Sequence, residues 1–157
     1  MSNQSYPETQ TQETKSKPAE AWIYFSPKKT NGETVAKFIL GTKRSLDIAI
    51  YSLTSNEIVQ AIKVVRGKGI QSRVLCDKQQ ASIKAAKCSE VGGIIDKKSG
   101  LMHNKFIVRD SECVLTGSYN FTDNATYRNR ENFMILCDEG VAETYQKEFD
   151  KLWAYNE

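Results

Sequence analysis

The pattern of apolar and polar positions separates a tail from one folded unit. Residues 1–20, MSNQSYPETQTQETKSKPAE, offer almost nothing to bury. A disordered tail is expected there, and a single domain over residues 21–157. AWIYFSP reads as a first strand closed by Pro27. In GETVAKFILGTKR, Val35, Phe38 and Ile39 recur at helical spacing, with Gly41 placed to end the helix. SLDIAIYSLT passes from alternation into a continuous apolar run, as a strand does. Residues 54–57 (TSNE) form a capping-box pattern opening a helix through IVQAIKVVRGKG, and IQSRVLCD returns as a strand. A strand–helix–strand unit with so short a crossover indicates parallel pairing.

The second half is patterned differently. QQASIKAAKCSEVGG predicts a helix stopped by two glycines. Short strands are predicted in IIDKK, LMHNKFIVRD, ECVLTGSY and ENFMILCD. GVAETYQKEFDKLW predicts a closing amphipathic helix with Val141, Tyr145, Phe149 and Leu152 on one face. The expected architecture is a single α/β domain, a mixed central sheet flanked by helices on both faces.

Composition narrows the class without choosing a function. A length of 157 residues with 39% hydrophobic positions supports one domain with its own core. No apolar run is long enough to span a bilayer, so no stable membrane association is expected. The N-terminus lacks the basic start and apolar stretch of a signal peptide. A cytoplasmic location is therefore expected, or a periplasmic or secreted one if a precursor has been trimmed. Beyond the tail the domain carries 20 basic against 16 acidic groups, compatible with a polyanionic partner without demanding one. Cys76, Cys88, Cys113 and Cys137 form no CxxC or Cys/His pattern that would hold zinc, so no metal or cofactor is expected. Three sit in apolar strand-like runs. Buried reduced thiols are the expectation, and disulfides the alternative if the protein is exported. The sequons at Asn120 and Asn124 would matter only on secretion.

Candidate chemistry concentrates in SGLMHNKFIVRD, residues 99–110, which holds the chain's one histidine. In an extended strand His103 and Lys105 project to the same face, roughly 7 Å apart. A solvated surface strand would tolerate that pair, whereas a core strand would not, because an ammonium resists burial. GSYNFT follows, where Ser118 and Asn120 again share a face and Gly117 would let the backbone approach a ligand. An imidazole, an ammonium, a hydroxyl and an amide converging at adjacent strand ends would cradle a tetrahedral phosphate.

His103-x-Lys105-x4-Asp110-x6-Gly117-Ser118-x-Asn120 matches the HxKx4Dx6GSxN signature at every defined position. On these residues the chain resembles the phospholipase D superfamily, and in size its small single-motif bacterial endonucleases. The resemblance implies that one motif histidine attacks phosphorus while a second protonates the leaving oxygen, with no metal. A chain with one histidine must then be inactive or must share its site across a homodimer. The resemblance further implies that Lys105, Asn120 and Ser118 hold phosphate oxygens and that Glu131 orients His103. By parity Asp110 faces away from Lys105 and is given a structural role, such as bracing a turn.

The motif serves lipid and nucleic-acid phosphodiesters alike. The basic domain and Arg109, Arg128 and Arg130 near the motif favour nucleic acid, DNA first, bound with little sequence specificity. Lys43, Arg44, Lys63, Arg66 and Lys68 would extend that surface or be ordinary solvated charge. A phospholipase or cardiolipin-type hydrolase and a non-catalytic nucleic-acid-binding module are the alternatives.

Overall fold

The strands join into one sheet because their apolar residues divide between two faces. The computed structural model describes residues 18–80 and 83–157. Its elements run β1 (Glu20–Phe25), α1 (Asn31–Leu40), β2 (Ser45–Ile50), α2 (Asn56–Gly67), β3 (Gln71–Cys76), α3 (Ile83–Glu90), β4 (Ile94–Ile95), β5 (Lys105–Arg109), β6 (Cys113–Gly117), α4 (Asp123–Tyr127), β7 (Asn132–Cys137) and α5 (Glu139–Asn156). The sheet order is β1-β7-β6-β5-β2-β3-β4. β2–β3 and β3–β4 pair parallel; the other neighbours pair antiparallel.

One face presents Ile48, Ile50, Val74, Ile107, Leu115 and Phe133 to Val35, Ile39, Ile58 and Ile62 of α1 and α2. The other presents Ala49, Leu75, Phe106, Val108 and Val114 to Phe149 and Ala142 of α5, flanked by Tyr145 and Leu152. This is the period of two expected of strands. Each fully buried Ile, Leu or Phe contributes about 1.5–3 kcal/mol. A polar clamp adds direction: Arg73 grips the buried Asp47 through two nitrogens at 2.8 and 2.7 Å and reaches Asp150 at 2.7 Å. Its guanidinium lies 4.9 Å from the Phe149 ring, fixing α5 across β2 and β3.

Several boundaries differ from expectation. The tail was expected to run to residue 20, but Glu20 already pairs with Cys137; residues 1–17 lie outside the described residues. α2 is capped by Ser55, whose hydroxyl accepts from the Ile58 N–H. Thr54 is one residue too early, so the TSNE box does not form. The strand expected over LMHNKFIVRD narrows to Lys105–Arg109, and IIDKK to two residues. The short α4, capped by Thr122, was not anticipated.

The cysteines are a larger correction. They form two disulfides, Cys76–Cys88 and Cys113–Cys137, with Cα separations of 6.5 and 4.0 Å. Pairing follows from register: Cys113 and Cys137 stand directly opposite each other on β6 and β7. Cys76 ends β3 beneath α3, which carries Cys88. Among the described residues no helix is long and apolar enough to cross a membrane.

Candidate active site

The sheet order gathers at one end the C-termini of β1, β2, β3 and β6 and the N-termini of β5 and β7. In open α/β sheets this edge, beyond the carboxyl ends of the parallel strands, is where ligands collect. His103 lies just before β5 with its side chain exposed, while Lys105, the first residue of β5, is buried. The Tyr51 N–H donates to the Asn104 carbonyl at 3.0 Å, carrying the β2–β5 ladder one step beyond the regular strand. Lys105 Nζ donates to the His103 carbonyl at 2.7 Å and lies 3.1 Å from Nδ1 and 3.4 Å from Nε2 of the imidazole. Burial pushes the Lys105 ammonium below the ordinary lysine range, and the negative charge of Glu131 works in the opposite direction.

Asn120 enters from the segment after β6. Its Oδ1 accepts from the Ser52 N–H at 3.2 Å, which fixes the amide and leaves Nδ2 as the group that can donate to a ligand. Ser118 is engaged within the chain. Its hydroxyl donates to Glu131 Oε2 at 2.5 Å and accepts from the Asn132 N–H at 3.1 Å. Glu131 Oε1 accepts from Asn129 Nδ2 at 3.1 Å. Among the described residues, then, Glu131 is hydrogen-bonded to Ser118 and Asn129, and not to His103.

Gly117 is needed for a different close approach from the one expected. A Cβ there would come within 2.2 Å of the Asn132 carbonyl oxygen and 2.6 Å of Phe133 Cα, so the backbone it admits is that of β7. Tyr119 and Phe121 are buried in the core and offer no stacking surface. Arg128 and Arg130 are exposed in the loop before β7, at the site's end of the sheet.

Arg109 is not brought to the site. It ends β5 about 13 Å along the strand from Lys105. There its Nη1 donates to the Phe38 carbonyl at 3.1 Å and its guanidinium lies 4.3 Å from the Phe38 ring. Asp110 shares that remote end. Its carboxylate accepts from the backbone N–H groups of Lys43, Arg44 and Ser45, the nearest at 2.6 Å. Lys43 and Arg44 therefore also belong to the far end.

Beside Asn120 lies an open pocket of about 370 Å³, walled by Tyr51, Ser52, Thr122, Asp123, Asn124 and Asn129. The sequence pattern did not mark Tyr51 or Asn129 for the site, and marked Asn124 only as a sequon. The available signal was Tyr51's position at the carboxyl end of an apolar parallel strand. The groups gathered at this edge are one imidazole, one ammonium and one oriented amide, the last of which lines the open pocket. They can hold an anionic tetrahedral centre and attack it or protonate it. One imidazole cannot do both in the same step.

Comparison with known proteins identifies the family and the fold. The family described as "Cardiolipin synthase, PLD-like domain" matches residues 35–153. Mitochondrial cardiolipin hydrolase of Xenopus tropicalis is 36% identical over 123 residues, covering 73% of this chain and 57% of that protein. Phospholipase D of Rickettsia conorii is 32% identical over 126 residues, covering 77% and 63%. The chain thus spans little more than half the length of these relatives. Among solved structures, Nuc from Salmonella typhimurium, described as a phospholipase D family member, superposes with a TM-score of 0.80 at 22% identity, covering 89% of this chain and 97% of that one. NucT from Helicobacter pylori gives 0.78 at 21% identity, covering 88% and 98%. At those identities the two structures speak for the fold.

Proposed function

Because the chain belongs to the family of phospholipase D-like domains, we propose that it is a metal-independent phosphodiesterase acting on nucleic acid, with an active site completed by a second copy of the chain. The observation that carries this is the convergence of His103, Lys105 and the Asn120 amide at the sheet edge, in a chain with a single histidine. In the proposed reaction the imidazole of His103 attacks phosphorus as the bond to the leaving oxygen breaks. His103 of the partner subunit gives that oxygen its proton. Water then attacks the phosphohistidine, passes its proton to the same partner imidazole, and releases His103. Lys105 and Asn120 Nδ2 hold the non-bridging oxygens as charge develops on them. Ser118 acts one step back, holding Glu131 and the start of β7 in place.

Nucleic acid is favoured by what surrounds the phosphate site. The adjoining pocket is walled by amides, hydroxyls, one aromatic ring and the Asp123 carboxylate, a polar lining that suits a nucleoside better than an acyl chain. Arg128 and Arg130 add exposed cations at the same end. A lipid substrate is the second reading, supported by the relatives named cardiolipin hydrolase. The two disulfides support work in an oxidising compartment, in place of the cytoplasm expected from the sequence.

The test is cleavage of single-stranded DNA, duplex DNA, RNA and cardiolipin vesicles side by side in excess EDTA, with the disulfides intact. Cleavage of nucleic acid in EDTA is expected. Cleavage of cardiolipin alone would move the function to lipid, and a strict need for a divalent ion would defeat the metal-free mechanism.

A further inference from the structure

A nucleophilic histidine must be held in one orientation, and among the described residues no carboxylate is hydrogen-bonded to the His103 imidazole. It precedes β5, outside the regular ladder, and is exposed. The carboxylate expected to steer it, Glu131, is engaged by Ser118 and Asn129. Among the described residues, Lys105 and Tyr51 meet the imidazole. Lys105 Nζ lies against its nitrogens, and the Tyr51 ring packs on its face, with centroids 4.5 Å apart and planes at 53°.

Tyr51 is itself held from three sides. Its backbone N–H donates to the Asn104 carbonyl, between the two motif residues, and its hydroxyl donates to Gln79 Oε1 at 3.0 Å. Its ring centroid lies 5.2 Å from Lys105 Nζ. The antiparallel register Ile50↔Lys105 sets this arrangement, because it brings the residue after β2 beside the residues before β5. The ring thus contacts both motif side chains, and Tyr51 also walls the pocket beside Asn120.

We propose that Tyr51 is the positioning residue for His103: its aromatic ring, rather than its hydroxyl, confines the imidazole to the orientation from which it meets phosphorus. This rests on His103 acting as proposed above. An exposed histidine has roughly six combinations of χ1 and χ2 available, so selecting one already gives several-fold. Alignment with the reacting phosphorus extends the expected effect to about 10–100-fold in kcat.

With one histidine in the chain, tag-free protein gives one set of imidazole ring resonances, readable by NMR whether or not the protein is active. In wild type these should be displaced by the ring current of Tyr51. Tyr51→Phe should keep the displacement and a kcat within about twofold. Tyr51→Leu, which retains bulk and so guards the fold, and Tyr51→Ala should lose the displacement and about 10–100-fold in kcat at saturating substrate. Wild-type kcat in Tyr51→Leu would overturn the proposal, as would loss of kcat with unmoved histidine resonances. A fall in Tyr51→Phe as deep as in Tyr51→Leu would overturn it too, by making the hydroxyl the acting group. Wild type inert on every phosphodiester would instead remove the phosphodiesterase reading, while the resonances would still decide whether Tyr51 fixes the imidazole.

Discussion

At one end of β5 the buried Lys105 ammonium lies between the carbonyl and the imidazole of the exposed His103. Four residues later, at the other end, Arg109 stacks on Phe38 and Asp110 receives three backbone N–H groups. Both ends are charged and partly buried. They differ in what is left over. At the far end the carboxylate's capacity is absorbed by the α1–β2 turn, and Arg44 closes the arrangement by donating to the Asp110 carbonyl at 2.7 Å and to Glu112 at 2.8 Å. At the near end one imidazole nitrogen and the Asn120 Nδ2 are still able to meet a ligand. Charge marks a reactive site where its hydrogen-bonding capacity is unspent, and marks scaffold where it is consumed.

The sharpest way to break this contrast is to exchange the consequences of the two ends. His103→Asn should lower kcat by about 10³-fold or more, with an unchanged melting temperature. Asp110→Ala should do the reverse. It strands three N–H donors and puts alanine at a φ of 58°, costing about 2–3 kcal/mol and lowering Tm by roughly 10 °C. Its kcat, measured below the transition, should stay within about twofold. A large loss of kcat in folded Asp110→Ala would show that the far end is part of the chemistry.

A smaller effect tests the electrostatics of the near end. Lys105 is charged below its pKa and grips phosphate only in that form, so binding is lost as pH rises through that value. Burial has already lowered it, and Glu131 opposes the lowering. Glu131→Gln removes the opposing charge, so the alkaline limb of kcat/KM should move to lower pH. Asp110→Asn should leave the limb in place. An unmoved limb in Glu131→Gln, or one moved upward, would contradict the coupling.

The contrast also explains what was legible in the sequence. β2, α2 and β3 were readable because their periodicity is local, although the helix cap falls on Ser55 and not on Thr54. The motif was readable because a fixed spacing across His103, Lys105 and Asn120 leaves few other uses for those residue types. Facts of register were not. That Cys113 faces Cys137 depends on how β6 meets β7, and their local apolar context suggested only burial. Arg109 is near the motif in sequence but far along the strand. Gly117 correctly signalled a close approach, but the partner is a strand 15 residues later, which no local pattern names. Tyr51 lies 52 residues before His103 and meets it only through the β2–β5 pairing.

The central claim is that half of the catalytic apparatus belongs to a second copy of the chain. It is tested most directly by co-refolding wild type with a tenfold excess of His103→Asn, so that nearly every wild-type chain pairs with a variant. Activity per wild-type chain should fall to roughly one tenth, the fraction still paired with wild type. Activity per wild-type chain that stays constant across the mixture would show that one chain builds a whole site.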